Sequence, residues 1–154
     1  MSAPARWRPR LARSIGLIVD AAPLFEDEWW IIGSAAAALC GADIADVRDV
    51  DLLLSERDAS GLLRRWAATP RAAAAPSAQF RSAVFARFEN GLLAIEVFGG
   101  FEMRIRGQWR RVAPLTREAR GGVFTPSVAE QIGLLKAMGR AKDQPRIAAL
   151  RARL

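Results

Sequence analysis

The stretch Asp49-Val50-Asp51-Leu52-Leu53-Leu54 constrains this chain more than any other. Its alternation reads as a β-strand, in which every second side chain shares a face. Asp49 and Asp51 then point the same way, with Cα atoms roughly 6.6 Å apart. Val50, Leu52 and Leu54 point the other way, into a core. Two carboxylates on one face of an otherwise apolar strand raise each other's proton affinity, and partial burial raises both. A divalent cation removes that conflict, and hard Mg2+ takes one or two carboxylates together with phosphate oxygens. A third acid has the same setting. In Leu93-Ala94-Ile95-Glu96-Val97-Phe98, Ile95 and Val97 point to the face opposite Glu96. If the two strands are neighbours, Glu96 reaches the same cluster.

The flanking pattern places these strands in an α/β (α+β) fold, a small mixed β-sheet flanked by helices with further helices at the C-terminus. Leu11, Ile15, Ile18 and Val19 predict a helix over 11–21, and Trp29 to Ile32 a short strand. Ser34 is then expected to cap a helix through Leu39, with Gly41 as its stop, and Ser55 to cap the next one, which carries Leu62, Leu63 and Trp66. Residues 67–78, rich in Ala and Pro, read as the end of that helix and a loop. Phe80 to Phe88 and Leu92 to Phe98 read as strands about an Asn90-Gly91 turn, and Phe101 to Val112 as a strand or hairpin turning near Gly107. Thr125 and Pro126 open a helix ending at Gly139, and Asp143 caps a last one carrying Ile147, Leu150 and Leu154. Residues 1–10 read as a basic tail and 11–154 as a single domain, of which 125–154 is the C-terminal helical part.

Composition removes several chemistries. The 154 residues include no histidine and one cysteine, Cys40, so His-ligated metals, Ser-His-Asp triads and an intrachain disulfide are excluded. Of the 23 basic residues all but Lys136 and Lys142 are Arg, and the formal net charge is +7. That balance favours anionic partners such as nucleotides or nucleic acid, although an Arg-rich, Ala-rich chain also reads as coding bias and a solvated surface. No run approaches the roughly 20 apolar residues of a membrane span. The expectation is a cytoplasmic protein that does not enter a membrane.

Between the first strand and the Asp49 strand stands Gly33-Ser34, at the opening of a helix. Exposed N–H groups at such a junction suit a phosphate. With these residues in view, the segment resembles the nucleotidyltransferase superfamily with the DNA polymerase β-like fold. That signature is an apolar strand, Gly followed by Gly or Ser, a helix, an acidic-apolar-acidic strand and a later acidic strand position. Here the positions are Gly33, Ser34, Asp49, Asp51 and Glu96. Small bacterial members of the minimal-nucleotidyltransferase and abortive-infection type are most similar. They carry an Arg before the paired acids, as Arg48 stands here, and a Gly-Arg-x-Lys-Asp element matched by Gly139-Arg140-Ala141-Lys142-Asp143. The spacing from Ser34 to Asp49 is longer than in the shortest members, and the third acid is Glu rather than the commoner Asp.

The resemblance implies transfer of a nucleoside monophosphate from an NTP such as ATP to a hydroxyl, with release of pyrophosphate. Asp49, Asp51 and Glu96 would be catalytic and would hold two Mg2+ ions. Gly33, Ser34, Arg48, Arg81 and Lys142 would bind the nucleotide. The acceptor is a small molecule, an RNA end or a protein side chain. Two other readings stand beside it. One is a binding or regulatory, antitoxin-like protein that keeps the fold without turnover. The other is an Arg-rich RNA-binding module, with Trp109 among Arg106, Arg110 and Arg111 stacking on single-stranded nucleic acid. Glu96 also reads as pairing with an Arg across a hairpin, Arg48 and Arg81 as structural partners of the acids, Trp29 and Trp30 as packing residues, and Cys40 as an inert core thiol.

Overall fold

The structure, a computed structural model, describes residues 5–67, 77–89 and 92–154. The Asn90-Gly91 turn and residues 68–76 of the Ala/Pro-rich segment lie outside the described residues. Helix α1 spans Trp7–Ala21 and begins earlier than the 11–21 periodicity predicts. Trp7 extends the buried stripe of Leu11, Ile15 and Ile18 by one turn, and its Nε1 donates to the Ala45 carbonyl at 3.3 Å. Residues 7–10, expected in a basic tail, are therefore helical.

Strand β1 (Trp30–Ile32) runs into α2 (Gly33–Leu39), followed by β2 (Asp49–Leu54) and α3 (Glu56–Arg65). Helix α2 ends in a left-handed turn. The Gly41 N–H (φ +81°) donates to the Ala38 carbonyl, and the Ala42 N–H reaches back to Ala37. Ser34 does not cap this helix. The N-cap is the extended Ile32, and Ser34 lies inside the first turn. Ser55 does cap α3, accepting from the Asp58 N–H.

Strands β3 (Phe80–Arg81), β4 (Val84–Phe88), β5 (Ala94–Gly99), β6 (Glu102–Ile105) and β7 (Gln108–Arg111) follow. The main sheet has the order β1-β2-β5-β4, with β2 and β5 parallel and both outer pairs antiparallel. The run expected as one strand over 80–88 divides between two sheets. β4 pairs with β5, and β3 pairs with β6 across the corner made by Gly99 and Gly100 (φ +64°). β6 and β7 form a tight hairpin through Arg106 and Gly107, both at positive φ.

Strands β8 (Glu118–Arg120) and β9 (Val123–Thr125) form a third ladder, and α4 (Val128–Met138) and α5 (Gln144–Arg151) close the chain. Thr125 is not the α4 cap. It ends β9, fully buried, and its hydroxyl donates to the Pro126 carbonyl. Ser127 caps α4 by accepting from the Glu130 N–H. Gly139 ends the helix in the left-handed conformation, as expected. Asp143 sits at the N-cap position of α5 but makes no capping bond. Leu154, expected on the buried face of that helix, is exposed.

The two faces of the main sheet carry different cores. Val50, Leu52, Leu54, Ile95 and Val97 pack with α1 and α3 in the larger cluster. Trp30, Ile32 and Leu53 face the second sheet through Phe101, Met103 and Val112, with Phe98, Leu134 and Met138 packed against them. The acidic positions lie on this second face.

Candidate functional site

The register fixes the site. Ile32 lies opposite Asp51, Asp51 opposite Glu96, and Glu96 opposite Arg87, one row across all four strands. Asp49 shares the face two residues before Asp51. One carboxylate oxygen from each of Asp49, Asp51 and Glu96 lies within 4.8 Å of the others. Asp49 and Asp51, placed on one face by their alternation, and Glu96, on the neighbouring strand, thus converge, each partly buried.

Gly33 stands directly against this cluster. Its φ is +72°, and a Cβ there would lie 2.6 Å from Asp51 Oδ2. Ser34 follows it in the first turn of α2 and is half-buried.

Electrostatics at the cluster follow from crowding. Burial pushes the Asp51 carboxyl up to about 8, with the charges of Asp49 and Glu96 adding to the effect and Arg146 and Arg140 opposing it. Glu96 is also raised, first by burial and then by Asp49, while Arg87 pulls it back. Asp51 therefore keeps its proton at a pH where an exposed carboxylate would have lost it. The donor set, three carboxylate oxygens within reach of one another, fits a hard divalent cation, which would displace the proton.

Beside Asp51 and Gly33 opens a cavity of about 180 Å3, walled by Ile32, Phe80, Phe98, Phe101, Leu134 and Met138. Arg140 and Arg146 supply its positive wall. Both are held by Asp143, which is 1% exposed. Arg140 donates from Nε at 2.7 Å and from Nη2 at 3.2 Å, and Arg146 Nη1 lies at 3.7 Å. Asp143 thus orients two guanidiniums towards the cavity, a task that leaves its carboxylate unavailable as a cap.

Three residues expected to bind the nucleotide lie outside this cavity. Arg48 pairs with Asp46 at 3.3 Å, its side chain 88% exposed. Arg81 pairs with Glu102 at 3.1 Å and lies 4.3 Å over the Trp109 ring, on the exposed side of the second sheet with Arg104. Lys142 is exposed on the short turn Ala141–Asp143. None of the three lines the cavity. Trp29 and Trp30 are buried, as expected of packing residues. Cys40 is buried as well, its sulfur 3.2 Å from Gln131 Nε2.

The expected pairing of Glu96 with an Arg across a hairpin is made by Arg87, which sequence reasoning did not single out, and Arg146 it missed altogether. Arg87 faces Glu96 only through the β4–β5 register. A two-residue turn at Asn90-Gly91 would have set it against Ala94 instead. Arg146 reaches the cavity through the docking of α5, for which no local pattern speaks. Arg140 carried a signal, the Gly-Arg-x-Lys-Asp element.

Among the described residues no helix is long and apolar enough to cross a membrane. No family model and no curated protein matches the sequence. Among solved structures, the chain is similar to a protein from Thermotoga maritima known as a putative nucleotidyltransferase. The match has a TM-score of 0.73 and covers 96% of each chain, at 18% sequence identity. This likeness, with which the acidic row agrees, gives the chain a nucleotidyltransferase-like fold.

Proposed function

We propose that the protein is a Mg2+-dependent nucleotidyltransferase that moves a nucleoside monophosphate from an NTP to an acceptor hydroxyl. The observation that carries this reading is the convergence of Asp49, Asp51 and Glu96 within 4.8 Å beside Gly33. Acids so close together are poorly suited to a structural role, because burial and mutual repulsion oppose their ionisation. They are well suited to holding two divalent cations. When bound, such ions activate the attacking oxygen and neutralise the leaving pyrophosphate.

In this reading Asp49 and Asp51 hold the cations and Glu96 completes the acceptor side. The acceptor oxygen forms a bond to the α-phosphorus as the bond to pyrophosphate breaks. The hydroxyl proton passes to a carboxylate of the cluster, Glu96 being nearest the strand that leads to Arg87, and then to water. Arg140 and Arg146, fixed by Asp143, meet the polyphosphate, and the aromatic wall of the cavity excludes water around the substrate. In the same reading the backbone N–H groups of Gly33 and Ser34 meet the phosphates. This assigns to Arg140 and Arg146 the part that Arg48, Arg81 and Lys142 were expected to play. A lone buried thiol and a nucleotide donor both suit the cytoplasm.

The test uses the whole chain, Mg2+ and each α-labelled NTP in turn, with cell extract as the source of small-molecule, RNA and protein acceptors. Label should move to one acceptor fraction with the wild type and not with Asp51→Asn. Label that stays in all four NTPs would favour a binding protein that keeps the fold without turnover.

A further inference from the structure

Arg87 reaches into the acid cluster from β4. Its Nη1 lies 2.6 Å from Glu96 Oε1 and 3.6 Å from Asp49 Oδ2, while its Nε lies 2.7 Å from Glu89 Oε1. The two kinds of contact differ. Glu96 and Asp49 are 19% and 29% exposed, but Glu89, two residues further along the chain, is 60% exposed. The guanidinium thus spans from the candidate metal ligands to the surface. Asp51 is treated differently. Among the described residues no ion pair to it lies within 4 Å, and Arg140 and Arg146 face it across the cavity. The cluster is therefore asymmetric, with a cation already seated on its Glu96 side.

We propose that Arg87 is a built-in competitor for the metal, a guanidinium that holds Glu96 and Asp49 together and must retreat towards Glu89 before those oxygens can ligate a divalent ion. The inference rests on the metal-site reading above. Its physical basis is that one set of lone pairs cannot serve both cations, and that two positive charges at such separations repel strongly in a partly buried site. Arg87 then sets the concentration of divalent ion at which the Glu96 side fills. It also keeps the row across the sheet intact until that happens.

The test is a Mn2+ titration of the full chain without nucleotide, read by electron paramagnetic resonance, in about 1 M KCl, where the screening length falls to about 3 Å. Wild type, Arg87→Gln and Glu89→Gln are compared. Arg87→Gln should bind Mn2+ at least about fivefold more tightly. Glu89→Gln removes the outer anchor, leaves Arg87 more firmly on the acids and should bind Mn2+ more weakly. Equal or weaker binding by Arg87→Gln would overturn the proposal and make Arg87 a support for the acids instead. No Mn2+ binding by either the wild type or Arg87→Gln would overturn the metal-site reading itself. Should Arg87→Gln fail to fold, Glu89→Gln decides alone, with unchanged or tighter binding counting against the proposal.

Discussion

Gly33 leaves no room for a side chain because Asp51 occupies the space: a Cβ at Gly33 would lie 2.6 Å from Asp51 Oδ2. The glycine also holds φ at +72°, a conformation that side chains rarely adopt. Gly33→Ala should therefore destabilise the protein by about 2 kcal/mol. It should also displace the Asp51 carboxylate, so Mn2+ affinity should fall with stability. Urea unfolding gives the first quantity and a metal titration the second. A stable Gly33→Ala variant with unchanged metal affinity would show that Asp51 does not need its present position.

The pH dependence of the metal-free protein carries the signature of Asp51. Its carboxyl rises from 3.8 to about 8 on folding. The folded chain keeps a proton that the unfolded chain gives up, so this contribution to stability is fully present below pH 3.8. It is lost as pH climbs towards 8. In EDTA, wild-type stability should decline between pH 5 and pH 8. Asp51→Asn, which resembles the protonated acid, should decline less and melt no lower than wild type at pH 8. Asp27 acts in the opposite sense, because Arg57 and Ser55 hold it near 2, and its effect lies below this window. A large loss of metal-free stability in Asp51→Asn would mean that Asp51 is paired structurally.

Asp143 is the organiser of the positive wall. Replacing it with Asn removes the charge that holds Arg140 and Arg146. Both guanidiniums keep about a quarter of their side chain exposed and can rehydrate, so the cost should be about 2 kcal/mol rather than the 3–5 of a sealed pair. Mg2+-NTP affinity should fall as well, which a purely structural salt bridge does not require. Thermal melts and calorimetry of Asp143→Asn measure the two effects separately.

What the sequence made legible here is what depends on neighbours along the chain. Alternation in Asp49–Leu54 and around Glu96 assigns faces with no knowledge of the rest of the fold. The Ser55 cap and the Gly41 and Gly139 stops are local chemistry. What failed depended on distant partners. Thr125 stands where the local pattern puts a cap, but it is the buried end of β9, and Ser127 with Glu130 three residues on takes the role. Asp143 had a capping position but spends its carboxylate on two arginines. Arg48 adjoins Asp49 in sequence yet turns to Asp46, whereas Arg87 meets Glu96 only because the strands pair as they do.

Calorimetric titration of an NTP into the protein, with Mg2+ and again with excess EDTA, tests the central claim most directly. Without a divalent cation nothing bridges the triphosphate to the acid cluster, and the negative charge left on the cluster opposes it despite the chain's net charge of +7. The account predicts affinity at least about tenfold weaker in EDTA, a difference of about 1.4 kcal/mol, and loss of the Mg2+ effect in Asp51→Asn. Equal NTP affinity in Mg2+ and in EDTA would contradict it.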